Sequence, residues 1–189
     1  MVIRGSFRSS LAYLATLGPI GHLRPAPGTI GSAVGVVSGY MIAGYGAGIL
    51  AAATLLVTII GVFAADAYSQ TTGRKDAPEV IIDEVAGQWI ALIILPLDLW
   101  WFAAAFVLFR FFDITKIGPV GMAEQLSGGV GVMADDIVAG LLAAHLSIGE
   151  DPLRKTMEAL MHGYAEADDI EPDHGHDHSG SSGHFGHSH

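Results

Sequence analysis

Charged and polar residues interrupt an otherwise apolar chain in four places. These are Arg24-Pro25-Ala26-Pro27-Gly28-Thr29-Ile30-Gly31-Ser32, Asp83-Glu84, Arg110-Phe111-Phe112-Asp113-Ile114-Thr115-Lys116, and Asp135-Asp136. Each abuts a candidate hydrophobic helix. Carboxylates at such boundaries cost desolvation energy unless they are paired or hold a cation. Several acids with one Lys and one Arg suggest a site for a metal and a phosphate. Magnesium takes oxygen ligands and completes its octahedron with water and substrate phosphate. The glycines of the first cluster, followed by a helix start, could cradle an anion on free N–H groups. It is not a P-loop, because no Lys follows the second Gly.

Each cluster also has a plain reading. Pro25–Ser32 could be a loop leading to a helix that starts at Thr29 or Ser32. Asp83-Glu84 and Asp135-Asp136 could be helix starts whose acids favour the dipole. Adjacent residues diverge by about 100° on a helix, so at most one of Asp83 and Glu84 is expected to point directly at a shared metal. Arg110, Asp113 and Lys116, spaced i, i+3 and i+6, could be surface ion pairs. It is the coincidence of all four clusters that favours a site.

The elements that must position these residues are read from the apolar runs. No charged residue lies between Pro25 and Ala65, and Gly44-Tyr45-Gly46 with Gly48 offers a break near the middle. A second run, Val85–Phe109, is interrupted at Leu95-Pro96-Leu97-Asp98, and a third covers Ile137–Gly149. Asp151-Pro152 reads as an N-cap with Pro at the first helical position. Leu153, Met157, Leu160 and Met161 then predict a short amphipathic helix over Pro152–His162. No segment alternates with period two, so the expected fold is all-α.

The chain has 189 residues, enough for one domain, with hydrophobic content of 51% against only 15% charged residues. With a mean hydropathy of +0.47, this points to a membrane-embedded or membrane-apposed protein rather than a soluble domain, which carries about 25% charged residues. Nine Lys+Arg against nineteen Asp+Glu give a net charge of −10. An acidic chain without a basic stripe is not expected to bind nucleic acid. The absence of cysteine removes disulfides, thiolate metal sites and cysteine nucleophiles. Arg4 and Arg8 precede only a weak apolar stretch with no cleavage-like site, so a removable signal peptide is not expected. Residues 1–164 are read as the helical domain. Residues 165–189, acidic and holding six of the nine histidines, are read as a disordered tail. Imidazoles at i and i+2 there could chelate a transition ion, or the tail could be a passive appendage.

Taken together, the clusters resemble the phosphatidylglycerophosphatase A family, magnesium-dependent lipid phosphatases of bacteria. The resemblance covers roughly Leu11 to Leu146. It rests on Pro27-Gly28-Thr29-Ile30-Gly31-Ser32, Asp83-Glu84-Val85-Ala86-Gly87, Arg110 to Lys116, and Asp135-Asp136-Ile137-Val138-Ala139-Gly140 in that order and spacing. One departure is visible: the family usually has Pro directly after the lysine, whereas Ile117-Gly118 precede Pro119 here. The turn after Lys116 is thereby shifted, with no charged group lost. The resemblance implies a bundle of about six helices that hydrolyses phosphatidylglycerol phosphate to phosphatidylglycerol and inorganic phosphate at the bacterial inner membrane. It implies Glu84, Asp113 and Asp136 as direct or water-mediated magnesium ligands, with Asp83 and Asp135 beside them. Arg110 and Lys116, with N–H groups near Thr29, Gly31 and Ser32, would hold the phosphate. Either a carboxylate acts as general base for water, or an aspartate is phosphorylated in passing. A non-enzymatic polytopic membrane protein, and a phosphatase of this fold acting on another phosphate ester, are the alternatives. Oligomeric state is not legible.

One site requires all four clusters on one face of the membrane. Thr29–Ala65 is long enough for two spans. Val85–Phe109 must turn at Pro96–Asp98, with legs of about 12 residues, or roughly 18 Å. These are too short to cross, so a shallow or partly embedded bundle is expected, with Trp100 and Trp101 at an interface. Arg4, Arg8, Arg24, Arg74, Lys75, Arg110 and Lys116 fall on the site side, which the positive-inside rule makes cytoplasmic.

Overall fold

At the centre of the molecule lies a short helix, α4 (Ile82–Leu92), with helices around it. The computed structural model describes residues 2–74 and 77–148. In chain order these form α1 (Val2–Ala15), a 3-10 turn (Ile20–His22), α2 (Pro27–Ala43), α3 (Ala47–Thr72), α4, α5 (Leu99–Thr115), α6 (Pro119–Ala123) and α7 (Gly128–Ile148). Among the described residues there is no strand, so the all-α expectation holds, with seven α-helices, one of them a single turn. The helix expected over Pro152–His162 and the tail at 165–189 lie outside the described residues.

The helix ends follow local chemistry. Pro27 opens α2 at a position where a missing N–H costs nothing. Gly46, at φ +119°, turns the chain from α2 into α3, at the break the glycines marked. Gly73 closes α3 in the left-handed conformation, its N–H donating to the Ser69 carbonyl at 2.8 Å. Asp98 caps α5 by accepting the Trp100 N–H at 2.9 Å. The turn expected at Pro96–Asp98 therefore separates α4 from α5. Two differences stand out. Helix α2 begins at Pro27 rather than at Thr29 or Ser32. Helix α7 begins at Gly128, so Asp135 and Asp136 lie in mid-helix, not at its start.

Leu50 of α3, Trp89 and Leu92 of α4, Phe102 and Phe109 of α5, and Ala139 and Ala143 of α7 form one buried cluster. The Trp89 indole N–H donates to the Gly35 carbonyl at 2.9 Å and to Ser38 Oγ at 3.1 Å, tying α4 to α2. A second cluster joins Ala64 and Ala65 of α3 with Ile82, Ala86 and Met133.

The outside is apolar as well. Ile49, Leu55, Leu56, Ile59 and Phe63 of α3, with Val37 and Met41 of α2, are exposed. Helices Ala47–Thr72 and Gly128–Ser147 are long and apolar enough to cross a bilayer. At 1.5 Å per residue α3 is about 39 Å long, against roughly 30 Å of hydrocarbon. The bundle is membrane-associated. Trp100 is largely exposed.

Candidate active site

The starts of α2 and α4, the end of α5 and the middle of α7 meet at one place. Carboxylate oxygens of Asp83, Glu84 and Asp136 lie within 4.8 Å of one another, and so do those of Asp113, Asp135 and Asp136. The five acids thus form two groups of three that share Asp136. The ligand trio expected from the sequence, Glu84, Asp113 and Asp136, is divided between them.

Glycines permit this convergence. Gly87 lies one turn beyond Asp83, and Gly140 one turn beyond Asp136. A Cβ on Gly140 would run into the Gly87 carbonyl, and one on Gly87 would lie 2.5 Å from the Asp136 carbonyl oxygen. Helices α4 and α7 therefore touch backbone to backbone, which brings their acids within reach of one another. The two neighbours Asp83 and Glu84 both join the same group, although adjacent residues on a helix diverge. Asp83 sits in the first turn of α4, and its Oδ1 folds back to accept the Glu84 N–H at 3.0 Å. Its carboxylate consequently lies over the helix end instead of projecting sideways.

Both bases approach the second group. Arg110 Nη1 donates to Asp113 Oδ2, and also to Ser32 Oγ at 3.4 Å. Lys116 Nζ donates to Asp135 Oδ2, and to Asp113 Oδ1 at 3.4 Å. Lys116 caps α5 at φ +50°, a left-handed conformation that turns the chain toward α6. Burial opposes its charge, but the hydrogen bond and charge of Asp135, helped by Asp113 and Asp136, prevail and raise its pKa. Among the described residues no base is ion-paired with the first group. Burial, and then the Glu84 charge, hold Asp83 well above the usual carboxylate range. Burial, with the charges of Asp136 and Asp113, pushes Glu84 up to about 8.

Glu84 Oε2 and Asp136 Oδ1 are sealed from solvent without a hydrogen-bond partner. Each such orphan costs about 1–3 kcal/mol, more when charged. Unsatisfied oxygens in an all-carboxylate set are what a hard divalent cation takes, so the residues present fit magnesium.

The α2 residues divide by role. Thr29 is exposed on the first turn. Ile30 N–H already donates to the Ala26 carbonyl at 3.1 Å, so the N–H groups left free for an anion are those of Gly28 and Thr29. Gly31 packs against α4, where a Cβ would come 2.9 Å from Ile81 Cβ. The buried Ser32 hydroxyl donates to the Gly28 carbonyl at 2.9 Å and so faces Arg110 rather than an open cradle. Gly28, named within the first cluster, has a more definite role than sequence reasoning gave it, and Gln88 was missed. A Cβ on Gly28 would strike Glu84 Oε1 and lie 3.4 Å from the Arg110 guanidinium, so only glycine leaves that space open. Gln88, one turn beyond Glu84, is fully buried with its amide unpartnered. An amide in so apolar a run was the available signal.

The sequence profile of the phosphatidylglycerophosphatase A family matches residues 13–149, nearly three-quarters of the chain. Phosphatidylglycerophosphatase A of Escherichia coli is 35% identical over 120 residues, 62% of this chain and 70% of that protein. The Haemophilus influenzae protein of the same name is 36% identical over 126 residues, 65% of this chain and 77% of its own. A Bacteroides thetaiotaomicron protein provisionally named a phosphatidylinositol-3-phosphatase is 43% identical over 94 residues, 48% of this chain and 58% of that one. No solved structure matches the chain significantly. The profile match spans all four clusters, and the structure gathers the charged residues of the last three beside Gly28 and Ser32 of the first: the chain belongs to the phosphatidylglycerophosphatase A family.

Proposed function

We propose that this protein hydrolyses phosphatidylglycerol phosphate to phosphatidylglycerol and inorganic phosphate, as a magnesium-dependent step of phospholipid biosynthesis. The observation that carries the reading is the pairing of a carboxylate group with no ion pair among the described residues (Asp83, Glu84, Asp136) and an adjoining group already engaged by Lys116 and Arg110. Asp83, Glu84 and Asp136 would hold the cation, because Glu84 and Asp136 carry buried oxygens without a partner, whereas both oxygens of Asp113 already accept from Arg110 and Lys116. When bound, the cation supplies charge neutralisation for phosphate oxygens and a lowered pKa for the attacking water. Arg110, Lys116 and the free N–H groups of Gly28 and Thr29 orient the phosphate. Water adds to phosphorus, the bond to the glycerol oxygen breaks, and that oxygen takes up the proton that the attacking water gave to a carboxylate. A carboxylate of the five takes the proton that water gives up.

The exposed apolar faces of α2 and α3 suit a substrate that stays in the membrane. Arg24 and Arg74 lie in the connections at the site end of α2, α3 and α4. The positive-inside rule therefore favours a site facing the cytoplasm at the inner membrane. The test is phosphate release from phosphatidylglycerol phosphate in detergent, with magnesium and with EDTA. Phosphatidylinositol 3-phosphate and glycerol 3-phosphate serve as competing substrates. The reading expects release that EDTA abolishes, with the highest kcat/KM on phosphatidylglycerol phosphate. Release indifferent to EDTA refutes the metal. Preference for either competitor refutes the substrate.

A further inference from the structure

Two carboxylate groups sharing one acid are the framework of a site for two cations, with the shared acid as bridge. Among the described residues no Lys or Arg is ion-paired with Asp83, Glu84 or Asp136. Lys116 Nζ donates to Asp135 and Asp113 and so sits at the edge of the other group. We infer that the Lys116 ammonium stands in for a second metal ion, so that the site takes one divalent cation and one built-in monovalent one, bridged by Asp136. This deepens the metal-dependent reading above and rests on it.

Three observations support the assignment. First, two oxygens of the first group are buried without a hydrogen-bond partner: Glu84 Oε2, and Asp136 Oδ1 on the bridge. Asp136 is almost fully buried, at 3% exposure, so its free oxygen cannot be served by bulk water. Second, both oxygens of Asp113 already accept from cationic donors, one from Arg110 and one from Lys116, so the charge of this acid is answered within the chain. Third, Lys116 holds a left-handed backbone at the cap of α5, where glycine or asparagine is the usual occupant. An ammonium has three N–H donors. Two are directed at Asp135 and Asp113, and the third is available to a phosphate oxygen. The lysine can therefore do what a second metal would do, holding acids and phosphate together, while remaining covalently part of the chain.

Lys116→Gly tests this directly. Glycine suits φ +50° better than lysine does, so deleting the ammonium there relieves the backbone. Lys116→Met, which keeps the aliphatic stem, is the second uncharged variant, and Lys116→Arg keeps the charge. The measurement is Mn(II) bound per full-length chain in detergent. Only ion released by excess Mg(II) is counted, because the imidazoles among residues 174–189 prefer other metals to magnesium. Electron paramagnetic resonance then reports whether bound ions are isolated or magnetically coupled. Parent and Lys116→Arg are expected to bind one isolated ion. The uncharged variants are expected to bind two, with the spectrum of a coupled pair bridged by Asp136. Two ions in the parent overturn the inference while leaving EDTA-sensitive phosphate release, and hence the proposed function, intact. One ion in both uncharged variants, with helicity retained, overturns it as well. No ion in the parent, with release indifferent to EDTA, overturns the metal reading and this inference together.

Discussion

Glu84 is a buried acid whose charge the fold resists. Its carboxyl ionises only near 8 in the folded chain, against 4.5 for an ordinary glutamate, because burial and the charges of Asp136 and Asp113 oppose it. Between these values the folded protein keeps a proton that the unfolded chain has released. The contribution of Glu84 to the stability of the metal-free protein is therefore expected to fall as pH rises from about 4.5 to about 8, and to level off above that. Glu84→Gln removes the burden. Without metal, the variant should melt above the parent at about pH 9 and close to it at about pH 4. Its turnover should nonetheless fall by roughly a hundredfold or more, because the proposed cation site loses a charge. A divalent ion should stabilise the parent more at high pH than at low pH, since it competes with the proton for the same oxygens. Melting curves at the two pH values, with and without magnesium, and phosphate release check the set. A variant that melts below the parent at about pH 9 would contradict the account.

The element that makes the site possible is the crossing of α4 and α7. In a helix interior, replacing Gly by Ala ordinarily gains about 1 kcal/mol. At Gly140 the new methyl group would meet the Gly87 backbone, with the Gly87 Cα at 3.2 Å and the carbonyl oxygen closer still. No rotamer change relieves a contact with backbone. Gly140→Ala is therefore expected to destabilise by about 1–3 kcal/mol, and to lower turnover at least tenfold by spreading Asp136 from Asp83 and Glu84. Gly48→Ala is the control, because its Cβ would meet nothing within 4 Å. It should leave turnover unchanged and stability equal or slightly raised, as melting and phosphate release will show. Equal effects at both positions would refute the role given to the crossing. The same crossing explains what the sequence could and could not disclose. The four clusters, the Gly44–Gly48 break and the turn at Pro96–Asp98 are local features and were legible. So was the face shared by Arg110, Asp113 and Lys116. The start of α7 was not, because Gly128, Gly129 and Gly131 look like a loop; in the structure Gly129 packs against the Val62 carbonyl of α3. The division of five acids into two groups was not legible either. It depends on how far apart two helix axes lie, which no spacing along one chain records.

On the scale of the whole molecule, apolar surface is distributed unusually. Residues such as Leu55, Leu56 and Phe63 of α3 face outward, while charged groups gather at the site, an arrangement that composition foreshadowed. Helix α4 is the extreme case. Nine of its eleven residues are buried, and α2, α3, α5 and α7 all pack against it. A helix with no face to the surroundings cannot fray sideways or open alone; its amides meet solvent only when the bundle comes apart. Hydrogen exchange at Ala86–Ala91 should therefore run at the rate set by global unfolding. Amides near the ends of α2 and α3 at Gly44–Gly48 should exchange by local fluctuation many times faster. Mass-resolved exchange in detergent would read both. The slowest-exchanging backbone in this protein is thus expected to lie directly behind two of its acids, so that the acids cannot shift without the loss of the entire fold.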